Sequence, residues 1–130
     1  MPTAPLHHEH KPPHGGTLIE LGEEFAHIEM TVDPASGHVT AYVLDGEAEQ
    51  PVTVAQSTLV IHFASLHAPD LVLQAVPNVL TGETVGHTSQ FDGELPLLKT
   101  TPTFDAELKE ILARGTQFRA VRFNYPHGNG

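Results

Sequence analysis

Ten of the 130 residues are histidine and none is cysteine, so any metal chemistry of this chain falls to imidazole and carboxylate, the ligands of zinc, copper or nickel when thiols are absent. The densest arrangement is Pro13-His14-Gly15-Gly16 followed by Thr17 to Asp45. Within it His27 and Glu29 stand two residues apart, which on a strand puts both side chains on one face. Gly15 and Gly16 let the backbone turn closely beside that face and carry His14 toward it. His14, His27 and Glu29 are therefore the leading candidate ligands for a copper or zinc ion. The competing reading makes His27 and Glu29 the solvated face of a half-buried strand.

Two further groups are candidates. His7, His8 and His10 lie in a proline-rich start, where a loose histidine tract binds transition ions without fixed geometry. The tripeptide Pro13-His14-Gly15 recurs as Pro126-His127-Gly128. Chain ends are often close in space, so His14 and His127 could share one ion. His62, His67 and His87 fit better as surface or hydrogen-bonded histidines, and Met30 as a core residue.

Other chemistries find little support. There is no Gly-x-Ser-x-Gly elbow, no phosphate-binding glycine loop and no His-Glu-x-x-His, so an enzyme is not expected. Sixteen acidic against six basic residues give a formal charge of -10, which repels phosphate backbones and argues against nucleic acid as a partner. No run reaches the roughly 18 to 20 apolar residues of a membrane span, and Met1 does not open a signal peptide. The chain is then cytoplasmic, or a mature periplasmic or envelope protein whose export signal has been removed.

The elements that must position the histidines read mainly as strands. Residues 1–13 read as a flexible tail rich in proline and histidine, residues 14–126 as one domain, and residues 127–130 as a short C-terminal tail. Gly16 to Leu21, Phe25 to Asp33 and His38 to Asp45 alternate apolar and polar residues. The Pro34 to Gly37 turn sets a hairpin register in which Val32 faces Val39, Met30 faces Ala41 and Ile28 faces Val43. The other face then pairs Asp33 with His38, Thr31 with Thr40, Glu29 with Tyr42 and His27 with Leu44. Further strands are expected at Pro51–Val54, Ser57–Ala64, Leu71–Val76, Thr88–Phe91 and Gln117–Tyr125. Phe104, Leu108, Ile111 and Leu112 form an apolar stripe that predicts a short α-helix over residues 104–114, ended by Gly115. The fold class is mainly β, an antiparallel β-sandwich with immunoglobulin-like connections as one form.

The stretch from His14-Gly15-Gly16 through His27-x-Glu29 to Tyr42-Val43-Leu44-Asp45, with Gly86–Phe91 and Phe118–Tyr125 farther on, resembles a histidine–glycine–glycine domain of bacterial envelopes. That domain accompanies periplasmic adaptor subunits of heavy-metal efflux systems and also occurs as small standalone proteins. The resemblance covers most of residues 13–125. It implies a β-sandwich and association with a metal, and it carries His14, His27 and Glu29 as site residues. The late His-x-His of that family is replaced here by the single His127. The resulting expectation is a non-enzymatic copper- or zinc-binding protein that buffers or delivers metal in the envelope. The alternative is a structural or interaction module with an envelope protein partner, its histidines incidental or sensing pH.

Overall fold

Alternating side chains dictate the first hairpin of the computed structural model, which describes residues 10–129. Strand β1 covers Thr17–Leu21, β2 covers Ala26–Asp33 and β3 covers His38–Leu44. The β2–β3 register is Val32 with Val39, Met30 with Ala41 and Ile28 with Val43, and on the other face His27 with Leu44 and Glu29 with Tyr42. Every pair of the expected register is present. The turn that fixes it is held by Asp33, whose carbonyl accepts from Gly37 N and whose side chain accepts from Ala35 N. Gly37 has φ of +79° and lies so close to the backbone of Leu95 that a Cβ would clash, so glycine is required there.

Strands β4 (Thr58–Phe63), β5 (Leu71–Ala75) and β6 (Gln90–Glu94) follow, then β7 (Phe104–Ala113) and β8 (Thr116–Tyr125). Short 3₁₀ turns lie at Val79–Thr81 and Pro96–Lys99. All eight strands belong to one antiparallel sheet in the order β1-β2-β3-β6-β5-β4-β7-β8, which curls nearly into a barrel. The mainly antiparallel β class is thus observed, as a single curled sheet. The strand expected at Pro51–Val54 is not formed; its end residues make only isolated pairs, Leu44 with Pro51 and Val54 with Thr88.

The helix expected over residues 104–114 is not formed; this segment is β7. Phe104, Ala106 and Leu108 point inward, and so do Ile111 and Ala113, while Leu112 is exposed. The alternation changes phase between Leu108 and Ile111. Opposite this point Ala120 takes φ of +53°, between the Leu108–Val121 and Glu110–Arg119 pairs. A four-residue step followed by a three-residue step imitates helical spacing, which is why the stripe misleads. Gly115 is likewise no helix end. It forms a two-residue hairpin loop with Arg114, both at positive φ, the backbone that matches the twist of paired strands.

The inner surface is a continuous apolar core that includes Ile19, Ile28, Met30, Leu59, Ile61, Leu73, Phe91, Leu108 and Ile111. Near-closure of the sheet depends on the C-terminal residues. Thr17 Oγ1 donates to Pro126 O, and the Asn129 side chain accepts from Glu20 N at 2.7 Å and donates to Glu20 O at 3.0 Å. One side-chain amide therefore serves an edge residue as a paired strand would.

Candidate metal centre

Strand β2 presents His27 and Glu29 on its outer face, as their spacing requires. That face is not solvated: His27 is 2% exposed and Glu29 is fully buried. The covering segment is the chain from His10 to Gly16, which runs over β2 before entering β1.

Glu29 is consumed by this arm. Its Oε2 accepts from His14 N at 2.8 Å and from Gly16 N at 2.9 Å, while its Oε1 accepts from His14 Nδ1 at 2.7 Å. The His14 ring also stacks on Tyr42, with centroids 3.7 Å apart. Gly16 passes so close to Met30 O that any side chain would collide. The His-Gly-Gly motif thus makes a loop clamp around one buried carboxylate, which needs such donors to stay in a dry site. The clamp borders a cleft of about 320 Å³ lined by His14, Tyr42, Glu49, Asn78, Glu83 and Ser89. Burial, reinforced by the negative charges of Asp92 and Glu29, pushes the Tyr42 hydroxyl above its ordinary value.

His27 belongs to a different neighbourhood. Its Nδ1 is 3.1 Å from the carbonyl oxygen of Asp45. A carbonyl has no proton to give, so Nδ1 carries the hydrogen, which leaves Nε2 as the nitrogen that could act as a ligand. The carbonyl itself is held in a closed turn. The Asp45 side chain accepts from Glu49 N at 3.0 Å and Glu47 N at 3.1 Å. The Glu49 amide, joined by those of Gln50 and Glu47 and by the charge of Arg114, outweighs desolvation and holds this carboxyl below its ordinary value.

Beside His27 lie His10 and Glu24. His10 Nε2 donates to Glu24 Oε1 at 2.7 Å, and the His10 and His27 rings meet edge to face at 5.0 Å. One ligand atom from each of His10, Glu24 and His27 falls within 4.8 Å of the others, a grouping that could hold a metal ion. A tetrahedral shell with bonds of about 2.0 Å needs donors roughly 3.3 Å apart, a spacing that falls inside the 4.8 Å reach of this grouping. The three residues come from the N-terminal arm, the β1–β2 turn and β2.

The structure therefore divides the expected ligand set. His14 and Glu29 meet each other, and His27 meets His10 and Glu24. His127 is exposed, with its N–H donating to Asn124 Oδ1. Although Thr17 and Pro126 bring the two Pro-His-Gly segments to one seam, His14 is held by Glu29 and Tyr42 there. His7 and His8 lie outside the described residues. Glu24, which lies between the expected strands Gly16 to Leu21 and Phe25 to Asp33, is the member that spacing did not reveal; its one signal is the acidic Glu23-Glu24 pair directly before a histidine-bearing strand.

No protein-family profile, curated protein or solved structure matches the chain.

Proposed function

We propose that this protein binds a transition-metal ion, copper or zinc, through His10, Glu24 and His27, and serves non-enzymatically to buffer or deliver metal in the bacterial envelope. The observation that carries the reading is His27 itself: a nearly buried imidazole whose Nδ1 lies against a backbone carbonyl and whose ring sits beside the His10–Glu24 pair. Metal-ligating histidines are commonly fixed in this way by their second nitrogen. Two imidazoles and one carboxylate are also a donor set that zinc sites use, with a fourth position left for water or a further ligand. The resemblance to histidine–glycine–glycine envelope domains supports the placement, with His14 and Glu29 given a bracing role and His27 the ligand role. The strongly acidic chain adds a field that attracts cations. Calorimetric titration of zinc and copper into the full chain and its His27→Ala variant tests the reading.

A second reading, an interaction module with an envelope protein partner, draws on a separate observation. Val79, Leu80 and Val85 project from one loop, with Leu80 93% exposed. Under that reading, replacing Val79 and Leu80 with serine abolishes partner capture and leaves metal titrations unchanged.

A further inference from the structure

We infer that the His10–Glu24–His27 centre selects a divalent ion, copper(II) or zinc(II), and discriminates against cuprous copper. The inference rests on the metal-binding reading and adds the oxidation state of the ion.

Three observations converge on it. The donors are two imidazole nitrogens and a carboxylate oxygen, whereas cuprous copper is selected by thiolates and thioethers. No such sulfur is within reach among the described residues. The chain has no cysteine, and Met30, although on the same strand as His27, points to the opposite face, opposite Ala41 and 1% exposed. Next, the carboxylate of Glu24 is the charged member of the set. A divalent ion gains twice the Coulomb attraction of a monovalent one at the same separation. Finally, three ligands from three chain segments leave room for a fourth, the open tetrahedral arrangement that divalent zinc adopts. Among divalent ions the same donors bind copper(II) more tightly than zinc(II).

The test uses the full chain with His7→Ala and His8→Ala, which removes the tail imidazoles outside the centre, and the same protein carrying Glu24→Gln. Zinc(II) and copper(II) are titrated directly, and copper(I) is titrated anaerobically against a cuprous chelator. The expected result is one-to-one binding of both divalent ions, weakened at least tenfold by Glu24→Gln, with copper(I) left on the chelator. Copper(I) bound as tightly as zinc(II) would overturn the selectivity while leaving the metal-binding reading intact. Failure of all three ions to bind would overturn both.

Discussion

The Nδ1 of His27 and the carbonyl oxygen of Asp45 lie 3.1 Å apart, though 18 residues separate them in sequence. The contact joins β2 to the turn after β3, and it sets which nitrogen of the ring can act as a ligand. Because the side chain of Asp45 closes that same turn, loosening the turn would loosen the ring. Orientation, more than proximity, separates this histidine from the exposed ones elsewhere in the chain.

Bracing of the arm depends on Glu29. Its replacement by alanine leaves the His14 and Gly16 amides without their buried acceptor. The expected cost is about 3 kcal/mol of stability, since bonds to a charged acceptor are worth more than neutral ones. Chemical denaturation measures that loss. Hydrogen exchange at the His14 and Gly16 amides, which both donate to Glu29, should accelerate in the variant far more than exchange in β4 and β5. Equal acceleration throughout would show that Glu29 supports the whole fold and has no special hold on the arm.

Near-closure of the sheet gives a second expectation. Asn129→Ala removes both bonds to Glu20, at a cost of about 1 kcal/mol because the site is open to water. Exchange of the Glu20 amide should rise while that of Ile28, deep in the core, does not. An unchanged Glu20 amide would mean that the seam is held without this side chain.

Acid should act through Glu83. Desolvation pushes its carboxyl up, but the Ser89 hydroxyl and the Asn78 and Ser89 amides outweigh it, and the net direction is downward. A depressed carboxyl adds stability that is complete above its unfolded value, about 4.3 for an unperturbed glutamate, and is lost as pH falls through the lower folded value. Glu83→Gln should therefore cost about 1–2 kcal/mol at neutral pH, and the gap from the parent should narrow below pH of about 4. Thermal unfolding of both proteins across this range checks the sign; a gap that widened in acid would contradict it.

How much of this was legible follows from where each side chain sits. The β2–β3 hairpin could be read completely, because a four-residue turn with Asp33 and Gly37 admits one register that keeps Ile28, Met30 and Val32 on the apolar side. The pairing of His14 with Glu29 was also within reach, through the two glycines. In β7, by contrast, the phase change between Leu108 and Ile111 is a local interruption of a strand ladder, and its spacing imitates a helix. The course of the arm was hidden too. Residues 10–13 carry proline and charge and little apolar surface, so periodicity says nothing of where they lie. Only their docking over β2 brings His10 to Glu24 and buries the face that alternation alone makes solvent-facing.

The most direct test of the central claim is calorimetric titration of zinc(II) into the full chain with His7→Ala and His8→Ala, alone and with His10→Ala, Glu24→Gln, His27→Ala or His127→Ala added. The three ligands lie in distinct segments, so loss of any one should weaken binding at least tenfold, while His127→Ala should leave affinity unchanged. Circular dichroism of each variant confirms that the sheet persists. One-to-one binding that fails on removal of His10, Glu24 or His27 is the expected result. Binding untouched by all three substitutions, or lost with His127 alone, would contradict the assignment of the metal centre.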